Sequence, residues 1–152
     1  MIFEVLLTLV GAFGLLRLNA KLERRLAARR TLHGLITPLS SYLSLLDHEM
    51  QNETGAPDNL VAQAVLDHVT ELRAFLLQPP SKDLVLWGRW PWMIRLNNIL
   101  IGLEESLEGA IQENWEDHYA EVKEQVVHLH LFIKDIPLLR QLTQQRVGIL
   151  SI

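Results

Sequence analysis

The chain has 152 residues, 49% of them apolar and 21% charged, with eight glycines, six prolines and no cysteine. That length suits one domain with a real core. The composition excludes low-complexity disorder, and the missing cysteines exclude disulfides, thiolate metal sites and cysteine nucleophiles.

The net charge of −4 is unevenly placed. Residues 17–46 hold six basic side chains against one acid, Glu23, whereas residues 51–152 hold eight basic and fourteen acidic. This pattern argues against a nucleic-acid-binding body. It favours a basic collar beside anionic lipid with an acidic domain below it.

Residues 1–18 read MIFEVLLTLVGAFGLLRL, apolar on every side of a helix. Such a helix belongs in a core or in a bilayer. Seventeen of its residues span roughly 25 Å at 1.5 Å per residue, slightly short of a ~30 Å hydrocarbon layer. Glu4 reaches the outer interface and Arg17 snorkels to the inner one. Arg17, Lys21, Arg24 and Arg25 form a basic membrane collar, continued by Arg29 and Arg30. Basic residues after the apolar run predict a single-pass anchor in the cell inner membrane, N-terminus out and residues 19–152 cytoplasmic. A cleaved signal peptide has its basic residues first, the reverse of this order. The alternative is a soluble bundle whose residues 1–18 dock into a partner. Thr8, Gly11 and Ala12 form a small face suited to helix pairing in lipid.

A heptad continues from the anchor through Leu15, Leu18, Leu22, Arg25, Arg29, Leu32, Ile36, Leu39, Leu43, Leu46 and Met50. It reads as a coiled-coil or bundle seam. Pro38 inside it is expected to kink or locally unwind the helix. Residues 51–59, QNETGAPDN, are a turn, with Asp58 or Asn59 capping the next helix. Leu60 to Gln78 follows as a second amphipathic helix, with Val61, Val65, His68, Leu72 and Phe75 on one face.

Residues 81–92 are irregular, with Leu84-Val85-Leu86 as a possible extended piece. Pro91 suits the first turn of a third helix. Apolar spacing from Met93 through Ile111, His118 and Val122 to Ile136 predicts one long helix, broken or kinked at Pro137. A last turn or two is expected over Leu138 to Gln145. The fold class is therefore all-α, an antiparallel helical bundle with its N-terminal helix extended as a membrane anchor.

One stretch bears on chemistry: His33-Gly34-Leu35-Ile36-Thr37-Pro38-Leu39, followed by SSYLSLL. It resembles the H-box helix of the dimerisation and phosphotransfer domain of sensor histidine kinases, over about 15 to 20 residues. The resemblance implies His33 as phospho-acceptor, Thr37 as the residue that positions a water for phosphatase chemistry, and Pro38 as the kink. Positions i and i+4 share a helix face, so Thr37 can reach a group bonded to His33. Gly34 stands where that family has an acid, and the remaining sequence offers no glycine-rich nucleotide box. The implied activity is thus phosphotransfer or a degenerate kinase module.

Di-iron bundles need Glu-x-x-His, but Leu45, Val65, Trp115 and Gln125 precede His48, His68, His118 and His128 at that offset. No metal and no cofactor is expected. Trp87, Trp90 and Trp92 lie close together with Arg89 and Arg95 beside them. Tryptophan and arginine are enriched at binding hot spots, so Trp87, Arg89, Trp90 and Trp92 form a candidate partner surface. Alternatively, they cap one end of the bundle or contact the membrane–water boundary. The expected function is protein–protein binding by a membrane-tethered accessory or scaffold protein. Its expected partners are membrane lipid, proteins of a membrane complex and further copies of itself, and not nucleic acid.

Overall fold

In a computed structural model of the chain, the structure describes residues 1–52, 57–84, 91–137 and 139–141, without the side chains of Asn52, Pro80, Lys82 and Asp83. Among the described residues the α-helices are α1 (Ile2–Asn52), α2 (Asn59–Leu77), α3 (Pro91–Gln112) and α4 (Trp115–Asp135). A 3-10 helix, Pro79–Leu84, follows α2. No strand occurs among the described residues. The fold is all-α.

The helices pack as a ring, α1 on α2, α2 on α3, α3 on α4 and α4 back on α1. The core takes only the lower half of α1. Leu32, Ile36, Leu39, Leu43, Leu46 and Met50 of the seam are fully buried or nearly so. Leu15, Leu18 and Leu22 of the same series are exposed. Against the buried stripe lie Val65, Val69 and Leu72 of α2, Leu96, Leu100 and Leu103 of α3, and Val122, Val126 and Leu129 of α4.

Polar contacts set the register. Asp58 caps α2 by accepting from the Leu60 N–H at 2.9 Å. Asn59, the other capping candidate, accepts from the Trp115 indole at 2.8 Å, tying the start of α2 to the start of α4. The Tyr119 hydroxyl donates to the Met50 carbonyl, fixing the lower end of α1 on α4. Arg73 pairs with Glu104 between α2 and α3, with both side chains largely buried. At the opposite end, the Ser81 hydroxyl hydrogen-bonds the Leu76 and Gln78 carbonyls, at 3.0 and 2.8 Å. That folds the 3-10 helix over the end of α2 and onto α1.

Three expectations change. The long third helix is two antiparallel helices, because the chain turns at Glu113-Asn114. Asn114 takes an extended backbone (φ −159°, ψ 157°), and its side chain accepts from the Asp117 N–H, starting α4 afresh. Glycine lets the two helices close up there: a Cβ on Gly109 would lie 2.6 Å from the His118 ring. Leu84 belongs to the 3-10 helix and is buried, so it is not extended, while Val85 and Leu86 lie outside the described residues. Finally, α1 stays helical through Pro38, so it is not unwound there. Proline deprives the Gly34 carbonyl of its helical partner, and Gly34 itself is exposed. Leu139–Gln141 are helical, and the rest of the expected last turn lies outside the described residues.

Candidate membrane anchor and its basic end

α1 leaves the bundle above Ala28, the first of its residues to be buried. Every residue from Met1 to Arg24 is exposed. The apolar 18-residue window in this half is long and apolar enough to cross a membrane, and none of it is covered by the rest of the protein. An exposed apolar stretch of this size costs free energy in water. Two local bonds adapt its polar residues. The Thr8 hydroxyl returns to the Glu4 carbonyl at 2.9 Å. The Arg17 guanidinium lies over the Phe13 ring, 5.9 Å from its centroid.

Topology adds to the collar. Arg17, Lys21 and Arg24 are exposed on α1, and Arg25 is half-buried, with its Nε buried and without a hydrogen-bond partner. Arg29 reaches Gln141 at 3.4 Å, which places the residues after α4 at this same end. The start of α3 is here as well, since Met93 and Ile94 share a small hollow with Leu76 and Leu77 from the end of α2. Arg95, exposed on that first part of α3, therefore joins the collar's end of the bundle. Sequence spacing could not show this, because Arg95 is some 70 residues from the collar in the chain. The other end is acidic, with Glu49, Asp58, Glu113, Glu116 and Asp117 around the α1–α2 and α3–α4 connections. The bundle is thus an electrical dipole with its positive end toward the apolar helix.

The phosphotransfer candidates lie just inside this end. Arg29, His33 and Thr37 follow one another at four-residue steps on one strip of α1. His33 and Thr37 are half-buried. His33 Nε2 and Thr37 Oγ1 are buried without a hydrogen-bond partner. Of the tryptophan cluster, Trp92 lies in the first turn of α3, half-buried against the core, whereas Trp87, Arg89 and Trp90 lie outside the described residues.

A feature not anticipated from the sequence lies on the α1–α4 flank. An open groove of about 420 Å³ is lined by Ser44, Asp47 and Gln51 of α1 and by Val127, His130 and Lys134 of α4, among others. Burial holds the His130 imidazole below its ordinary pKa, and Lys134 adds to the effect, outweighing Asp47 and a backbone hydrogen bond at Leu43. The pattern of alternate buried faces gave no sign of this, since His130 lies beside the apolar stripe of α4 and not in it. Among the described residues, no group of three or more His, Asp or Glu side chains could hold a metal ion.

No protein-family model matches the chain, and no curated protein or solved structure is significantly similar to it.

Proposed function

We propose that this protein is a membrane-tethered helical accessory or scaffold subunit that acts by binding protein partners. The observation that carries this reading is the upper half of α1, an apolar helix that the bundle leaves entirely uncovered yet continues without interruption. In this reading residues 1–18 cross the inner membrane. The collar holds the bundle on the cytoplasmic side, since basic residues flanking a span stay inside. The protein works as a homo-oligomer within a larger membrane assembly, with Trp87, Arg89, Trp90 and Trp92 contributing partner contacts.

The test is alkaline carbonate extraction of native membranes, followed by purification in mild detergent and identification of what travels with the protein. Retention in the pellet, with a defined membrane assembly co-purifying, is the expected result. Release by carbonate would instead mean a soluble bundle whose apolar helix docks into a partner.

A second reading, phosphotransfer through His33 with Thr37 positioning water, has one observation in its favour. The two side chains sit one turn apart, each with a buried polar atom that lacks a partner. Transfer would require that strip of α1 to become accessible. Unchanged function in His33→Ala removes this reading.

A further inference from the structure

We propose that the bundle end from which α1 emerges is a binding face for phosphate-bearing anionic lipid headgroups, built jointly from Arg25 and Arg29 of α1 and Arg95 of α3. This rests on the anchor reading and extends it from a linear collar to a folded surface.

The first argument is length. Residues 2–16 span roughly 22 Å at 1.5 Å per residue, against a hydrocarbon layer of ~30 Å. The shortfall is about 8 Å, or some five residues, and a span that is too short draws in flanking residues whose charges snorkel. Arg17 and Lys21 have the stems for this. Leu18 and Leu22, 54% and 48% exposed, gain by it. The hydrocarbon boundary then falls near Leu22. From there to Ala28, where the bundle begins, is only about 9 Å of helix. The headgroup layer occupies roughly 5–7 Å of that distance. Arg25 and Arg29 therefore lie within an arginine's reach of the phosphates, whereas Arg95, beside Leu77 and roughly 7 Å further from the membrane at 1.5 Å per residue, acts on them through its long side chain and within the ~8 Å Debye length.

The second argument is what that end displays. Arg25, Arg29 and Arg95 come from two helices. The Arg73–Glu104 pair lies elsewhere, between α2 and α3. The buried Nε of Arg25 has no partner in the protein. Guanidinium groups match phosphate oxygens with paired donors. Beside them Leu77 and Ile94 are 58% and 55% exposed, apolar surface that suits the lipid interface and not water. The acidic end points the other way, so the molecule's own dipole favours this orientation on an anionic leaflet.

Because the chain has no cysteine, Ile94→Cys provides a single attachment site for a fluorophore. The full-length labelled protein would be placed in nanodiscs of phosphatidylcholine, or of phosphatidylcholine with phosphatidylglycerol, each carrying headgroup nitroxide quenchers. Quenching should be several-fold stronger with phosphatidylglycerol. It should fall to the neutral-lipid level in the Arg29→Gln/Arg95→Gln double variant and survive in Arg29→Lys/Arg95→Lys. Inorganic phosphate at matched ionic strength should leave it unchanged. Equal quenching in both lipids, with the protein inserted, would overturn the headgroup face and leave the anchor standing. Loss of quenching in inorganic phosphate would reassign the face to soluble anions and also overturn it. Failure to insert in either lipid would sink the anchor reading itself.

Discussion

His130 couples the α1–α4 packing to pH. In the unfolded chain its imidazole takes up a proton around its ordinary pKa of 6.5. In the bundle it does so only at lower pH, because burial disfavours the charged ring. Between those two values the unfolded state binds more protons than the folded state, so stability falls as pH drops through that window. Above it the contribution is fully present. Urea titrations of the detergent-solubilised protein on either side of the window should show a lower midpoint in acid. His130→Gln, which cannot charge, should flatten that difference. An equal acid loss in the variant would place the effect on groups other than His130. The sequence offered no route to this residue. Periodicity identifies what a helix buries on its core stripe, whereas His130 is half-buried on a flank that exists only once α1 packs beside α4.

The turn between α3 and α4 rests on Asn114. Its side chain accepts from the Asp117 N–H at 2.9 Å, satisfying one of the donors that open every helix. Replacing such a cap by alanine costs about 0.5–2 kcal/mol. Asn114→Ala should therefore lower the denaturation midpoint, whereas Asn98→Ala, exposed in the middle of α3, should leave it unchanged or slightly raised by helix propensity. If both changes behaved alike, the cap would not be what starts α4.

This turn also marks where the pattern of apolar spacing loses its power. Met93, Leu96, Leu100, Leu103 and Leu107 run in helical steps toward Ile111, and Val122, Val126 and Leu129 resume them beyond, so one long helix and two antiparallel ones bury similar residues. What separates them is local: the jump from Ile111 to His118 in the apolar series, and an Asn followed by Glu116 and Asp117, an N-terminal helix signal. The seam of α1 was legible for the opposite reason. Leu32 through Met50 keep one stripe over six positions, and all six are buried.

For the whole molecule, the decisive property is independence of its two parts. The bundle buries nothing from residues 1–24, so damage to the anchor should leave the bundle's stability intact. Val10 sits near the middle of the apolar stretch and is 68% exposed. Arginine at the centre of a spanning helix costs about 2.5–3.5 kcal/mol of insertion free energy. Surface substitutions away from packed features change folding by no more than about 0.5 kcal/mol. Val10→Arg should therefore separate the two parts cleanly. In a flotation assay with purified protein and liposomes alone, the parent chain should float and the variant should remain at the bottom. Circular dichroism and the urea midpoint of the bundle should match. Because no partner protein is present, docking into a protein groove cannot produce flotation of the parent. A parent that stays at the bottom would thus return residues 1–18 to the partner-docking alternative. A variant that unfolds would mean that the upper half of α1 supports the bundle in a way its uncovered surface does not suggest.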